Sequence, residues 1–101
     1  MLRKSRLDPK LFLEIVNGLF RSPVYENYGA MAAEQRFEAA GFRLKLGLKD
    51  VTLALAAGAE AASPLPLASV VHDQFLSGVA RGYGDLDWSG LTKVAAGNSG
   101  L

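Results

Sequence analysis

The chain is 101 residues long, half of them apolar and 21% charged, with 11 Lys and Arg set against 10 Asp and Glu for a net charge of +1. That length allows one domain with its own core, and that composition excludes intrinsic disorder as the default state. The near balance of charge supplies no field for nucleic acid, the absence of cysteine removes disulfide scaffolds, thiolate zinc sites and thiol nucleophiles, and a single histidine leaves His-based metal sites without ligands.

The first segment, Met1-Leu2-Arg3-Lys4-Ser5-Arg6-Leu7-Asp8, is basic but has no apolar stretch of the kind a signal peptide needs. No run elsewhere approaches the ~18–20 apolar residues of a membrane span. The expectation is a soluble, cytoplasmic protein with neither a nucleic-acid nor a membrane partner. Arg3, Lys4 and Arg6 read as a solvated terminus with weak, salt-screened attraction for anions.

Asp8-Pro9 has the form of an N-cap followed by Pro at the first helical position, opening a helix from Lys10 to about Phe20 with Leu11, Ile15 and Leu19 on one stripe. Ser22-Pro23 repeats the device and opens a second helix to about Ala33, which a third segment around Glu34–Ala40 continues until Gly41 breaks it. The longest helix runs from Phe42 to about Ala62 and ends at Ser63-Pro64. Pro66 opens the next, which reaches about Arg81. Gly82, Tyr83, Gly84 and Asp85 have turn composition, Asp87 caps a last short helix over about Trp88–Ala96, and Gly97-Asn98-Ser99-Gly100 reads as a frayed tail. No period-two alternation is present. The predicted fold class is all-α: a single domain of about five helices with one long central helix.

On a wheel of about 3.6 residues per turn, the central helix places Leu44, Leu48, Val51, Leu55, Ala59 and Ala62 on one apolar stripe, an ordinary core face. The opposite side, with Phe42, Leu46, Leu53 and Ala57, is apolar too. A helix apolar on two sides is usually sandwiched between two partners, and a domain this small supplies one. Lys49 lies in the middle of the second face, between Leu46 and Leu53. An ammonium among apolar groups is costly unless an anion or hydrogen-bond acceptors meet it; the plainer alternative is a stem that covers apolar surface and a head that reaches water. Asp50 is adjacent in sequence, and because adjacent helical positions do not face each other it is not the expected partner.

The stretch Phe42-Arg43-Leu44-Lys45-Leu46-Gly47-Leu48-Lys49-Asp50-Val51-Thr52-Leu53-Ala54-Leu55 resembles the helix motif F-x-L-x-L-x-x-K-D-L-x-L-A of the β-hydroxyacid dehydrogenases, such as 3-hydroxyisobutyrate dehydrogenases and tartronate semialdehyde reductases, with Val51 in place of the motif's Leu. Pro64-Leu65-Pro66-Leu67 is similar to the turn that follows it, and Gly82-Tyr83-Gly84-Asp85-Leu86-Asp87-Trp88-Ser89 to the family's G-x-G-D-x-D-x-S stretch. Leu7-Asp8-Pro9 and Glu26-Asn27-Tyr28-Gly29 also fit, in the same order. The resemblance runs from Leu7 to Val94; Met1–Arg6 match nothing in the motif.

The resemblance implies the later part of a helical C-terminal domain of the 6-phosphogluconate dehydrogenase-like kind, which in the family follows a Rossmann domain binding NAD or NADP. The dinucleotide fingerprint and the family's catalytic Lys have no counterpart here; both would precede residue 1, so the chain is expected to be a fragment or a truncated product, with no catalytic residue of its own and no cofactor bound alone. Carried over by position, Lys49 would contact the cofactor near its nicotinamide end. Asp50 would help shape the same site, and Tyr28 and Phe42 would line the pocket for a small carboxylate substrate. Pro23 stands where many members carry an aromatic residue. Family members commonly assemble through this domain, so a homodimer is expected. A non-catalytic helical association module is the competing reading, and the two differ in whether Lys49 meets an anion.

Other signals carry less. Asp85-Leu86-Asp87-Trp88-Ser89-Gly90 imitates the opening of an EF-hand loop, but the twelfth position is Ala96 where a Glu is required; the plain reading is a turn with Asp87 or Ser89 as cap. Gly82-Tyr83-Gly84 follows no strand and is not a dinucleotide loop. His72, on a face with Ala68, Phe75, Leu76 and Val79, reads as a core or interface histidine, and Trp88 as a packing anchor.

Overall fold

A computed structural model describes all 101 residues. It contains five α-helices and no strand: α1 Pro9–Phe20, α2 Pro23–Glu34, α3 Leu44–Glu60, α4 Pro66–Ala80 and α5 Leu91–Asn98, with short 3-10 turns at Arg3–Ser5 and Trp88–Gly90. The all-α expectation holds. No helix is long and apolar enough to cross a membrane.

The helix starts follow the punctuation. Pro9, Pro23 and Pro66 each occupy the first turn, where the missing N–H costs nothing, and the Asp8 carboxylate accepts from the Lys10 amide at 2.9 Å. The segment after α2 departs from the reading. Gln35 takes a left-handed conformation (φ 55°) that stops the helix, and the chain from Arg36 to Arg43 is irregular. The carbonyl of Phe37 is used by the Asp87 amide at 2.8 Å instead of a helical partner. α3 is correspondingly shorter than predicted. Its end is a Schellman closure: the Ser63 amide donates to the Gly58 carbonyl (2.8 Å) and the Ala62 amide to that of Ala59 (3.1 Å), with Ala62 left-handed at φ 51°. The predicted frayed tail is also more ordered than expected, because α5 runs to Asn98 and closes the same way through Gly100 and Leu101.

α3 and α4 form the central hairpin. Phe75 lies so close to Gly47 that a Cβ there would come within 2.5 Å of its ring. At the open end Gly58 accommodates Leu65 and the Ser63 carbonyl. The α3 face turned inward is therefore Leu44, Gly47, Leu48, Val51, Leu55 and Gly58, and the predicted stripe is corrected at its end: Ala59 and Ala62 are exposed. The glycines were invisible to an apolar count because what they contribute is closeness, not surface.

Across the base of the hairpin, Leu44 and Val94 both lie against Gly78, and Leu44 and Val94 with Phe37 and Phe75 are the only buried large apolar side chains. Burying such a residue contributes roughly 1.5–3 kcal/mol, so the core is thin. α1 and α2 form a second hairpin, Leu13 lying on the bare backbone of Gly29. The predicted stripe of α1 does not enter the core: Ile15 is 60% and Leu19 76% exposed. The Cα radius of gyration, 15.0 Å, exceeds the roughly 13 Å of a compact chain this long.

Candidate functional site

The start of α3 has no side-chain cap of its own. Its free amides are instead taken up by the turn before α5: Leu44 donates to the Leu86 carbonyl at 2.9 Å and Lys45 to that of Gly84 at 3.0 Å. Arg43 and Lys45 both reach Asp85, at 3.5 and 2.6 Å. The hydrogen-bonded Lys45 ammonium beside Asp85 holds that carboxyl below its ordinary value.

Just inside this turn lies Asp87, 1% exposed. Its Oδ2 accepts from the Gly41 amide (3.1 Å) and the Phe42 amide (3.3 Å), and its Oδ1 from the Ser89 amide (2.9 Å) and hydroxyl (2.6 Å). Burial pushes this carboxyl up, but the donors of Ser89, Phe42 and Gly41 together outweigh it and hold Asp87 below its ordinary value. The predicted cap is therefore present, since Asp87 does serve Ser89, but the same carboxylate also reaches 46 residues back along the chain.

Two of the four predicted site residues come together here. The Tyr28 ring, from the middle of α2, meets the Trp88 indole edge to face at 5.1 Å between centroids, and the Phe42 ring meets the same indole at 6.5 Å. Trp88 thus stands between the two aromatics read as pocket walls. The other two, Lys49 and Asp50, lie further up α3. Lys49 is five residues past Leu44, about 7.5 Å along the axis at 1.5 Å per residue. Its side chain is 61% exposed, and the ammonium pairs with Asp50 at 2.9 Å. This corrects the expectation that the neighbours would not meet: both side chains stand in solvent, and a long, flexible stem folds the ammonium back to the next residue. Leu46 and the 60%-exposed Leu53 flank it on the same outward face.

That face is a strip and not an enclosed pocket. Clefts of about 450, 360 and 250 Å³ open elsewhere, and none is lined by Tyr28, Phe42, Lys49 or Asp50. No cluster of three His, Asp or Glu side chains could hold a metal ion. His72, read as a core or interface histidine, is half-buried and pairs with Asp73 at 3.2 Å, and Lys93, which the sequence did not single out, lies over the rings of Tyr83 (5.2 Å) and Phe37 (5.9 Å). The basic terminus is more engaged than a solvated end, with Arg3 half-buried and the Lys4 ammonium bonded to the Ser99 carbonyl.

Chemically, one cation on an apolar strip can receive one side of an elongated, partly anionic ligand, and one only. Residues 1–95 match the profile of the family described as NAD-binding of NADP-dependent 3-hydroxyisobutyrate dehydrogenase. The chain belongs to this family. The match takes in Met1–Arg6, which no motif covered. The chain is 54% identical over 93 residues to an uncharacterized oxidoreductase of Bacillus subtilis (strain 168), YfjR, covering 92% of this chain and 32% of that protein. It is 34% identical over 92 residues to glyoxylate/succinic semialdehyde reductase 1 of Arabidopsis thaliana, covering 90% of this chain and again 32% of the relative. It thus spans about a third of the length of the curated relatives it matches.

Sequence reasoning missed two contributors. Trp88 was read only as an anchor and Asp87 only as a cap. The Asp-x-Ser spacing signals a local turn, but no local pattern announces acceptors for amides 45 and 46 residues away.

Proposed function

We propose that this chain forms the helical wall of an NAD(P)-dependent oxidoreductase acting on a short β-hydroxyacid such as 3-hydroxyisobutyrate, working in the cytoplasm as a homodimer. The observation that carries the reading is Lys49: a cation on an outward apolar strip, held only by its neighbour Asp50, at the position of the family motif's lysine. Such an ammonium is placed to meet the carboxamide or phosphate side of a dinucleotide when another wall faces α3, with Leu46 and Leu53 excluding water beside it. Asp50 keeps the ammonium on this strip until a ligand takes it. Tyr28 and Phe42, braced on Trp88, supply the apolar side of a cavity for a small carboxylate. Hydride chemistry belongs to the NAD(P) itself. No residue of the chain matches the lysine that acts as acid and base in the enzymes it resembles, so the chain by itself is proposed to be inactive. The outward stripe of Leu11, Ile15 and Leu19 favours self-association alongside this role.

The test is a graft. The third of the Arabidopsis reductase that this chain matches is replaced by the chain, and glyoxylate-dependent loss of NADH or NADPH absorbance is followed, with each cofactor in turn. The expected result is a folded, active chimera in which Lys49→Ala lowers kcat/KM by about 10- to 100-fold, the loss of one charge-assisted hydrogen bond. A folded chimera without turnover would remove the reading of this chain as the helical wall of an oxidoreductase, and an unaffected Lys49→Ala would remove the cofactor role.

A further inference from the structure

We infer that the dipeptide Asp87-Trp88 is a positioning unit that sets where the Phe42 and Tyr28 walls stand. The inference rests on the reading of those two aromatics as pocket walls, and it extends that reading to the two residues that hold them in place.

Without contacts from elsewhere in the chain, Phe42 would be loosely held. It lies between the irregular Arg36–Arg43 segment and the first residue of α3, and no helical hydrogen bond fixes its ring. Three contacts remove that freedom, and all come from two adjacent residues. The Asp87 carboxylate accepts from the Phe42 and Gly41 amides, and the Trp88 amide donates to the Phe42 carbonyl at 2.8 Å, so both polar backbone groups of Phe42 are held by the dipeptide. Beyond the backbone, the indole of Trp88 meets the Phe42 ring nearly perpendicular (82°) and the Tyr28 ring likewise (85°). The dipeptide is itself anchored, since Ser89 donates twice to the other oxygen of Asp87. A buried carboxylate with its donors satisfied has one well-defined geometry, whereas a neutral or shorter side chain leaves buried amides unpaired and free to seek other acceptors. Asp87 therefore acts through Phe42 and Trp88, and Trp88 acts through Tyr28 and Phe42.

Trp88 is the only tryptophan in the chain, so its near-ultraviolet circular dichroism and emission report on this cluster alone among indoles. The experiment compares the full chain with Asp87→Asn and with Val94→Ala, which opens the same core but removes none of the hydrogen bonds of Asp87-Trp88. For Asp87→Asn the expected result is retained helix content by far-ultraviolet circular dichroism, loss of most of the Trp88 near-ultraviolet band, a shift of emission to longer wavelength and faster quenching by acrylamide. Val94→Ala, measured where both variants are folded, is expected to keep the native Trp88 signature while losing stability. Native Trp88 signals in folded Asp87→Asn, or the same loss in folded Val94→Ala, would overturn the inference. If Asp87→Asn does not fold, Ser89→Ala, which removes one of the four donors, is expected to give a smaller shift in the same direction, and an unchanged spectrum would overturn it. No cofactor or hydroxyacid enters the measurement. Failure here would leave the role of Lys49 standing, and failure of the graft experiment would leave the positioning by Asp87-Trp88 standing.

Discussion

Asp87 is the one charged side chain in the buried interior, and its environment makes a pH prediction with a definite sign. Its carboxyl is held below the ordinary 3.8, so over the window between the folded and unfolded values the unfolded chain binds the proton and the folded chain does not. Its contribution to stability is complete above pH 3.8 and is lost progressively as pH falls through that value toward the lower folded one. Glu34, held down by Lys10 and Arg36, and Asp85, held down by Lys45, slope the same way, but both stand in solvent, where salt screens them. Urea unfolding in high salt is therefore expected to show a midpoint that is flat from neutral to mildly acidic pH and drops near and below 3.8, with the drop much reduced in Asp87→Asn. Parallel pH profiles for the two proteins would contradict this. Lys49 and Asp50 illustrate the limit of spacing arguments on a surface: helical geometry turns their Cβ atoms apart, yet the solvated lysine stem closes the gap.

At the scale of elements, the α3–α4 hairpin depends on a missing side chain. Alanine is the better helix former by about 1 kcal/mol, so Gly47→Ala on an open helix face would stabilise. Here the added Cβ would stand 2.5 Å from the ring of Phe75, which is buried and yields only by disturbing the core packed around it. The clash wins. Gly47→Ala is expected to lower stability by about 1–3 kcal/mol, read as a reduced urea midpoint, and Phe75→Leu in the same chain should recover part of the loss. An unchanged or higher midpoint in Gly47→Ala would mean that the two helices are not this close. The same approach explains why the apolar stripe read from the sequence was rotated at its far end. Ala59 and Ala62 matched the period, but the bare backbone of Gly58 is what the Ser63-Pro64-Leu65 turn folds over.

For the molecule as a whole, the two hairpins cover little of each other, and the first carries its apolar stripe outward. Leu11, Ile15 and Leu19 recur every four residues along one exposed face of α1, and Phe20, Val24 and Tyr25 are exposed at its end and at the start of α2. Exposed apolar surface of this kind drives association. Light scattering at micromolar concentration is expected to give about twice the 10.7 kDa chain mass, and Ile15→Asp to shift the protein toward monomer with its helix content kept. A monomeric wild-type chain would remove the proposed homodimer.

The local structure was legible because its causes are local. Pro after an N-cap, glycine at a turn and the absence of period-two alternation act within a few residues, and they placed the starts of α1, α2 and α4 and the all-α class. The outward cation at Lys49 and its two leucine neighbours were legible for the same reason, since one helix's own period puts them on one face. What only the tertiary structure decided is which surfaces meet. The stop at Gln35, the Phe37 carbonyl claimed by Asp87, the closeness of Gly47 to Phe75, and the indole that joins Tyr28 to Phe42 all arise between segments far apart in the chain. A hydrogen bond or a ring contact across 45 residues is selected by the free energy of the whole packed arrangement, and no short stretch of sequence carries that information by itself.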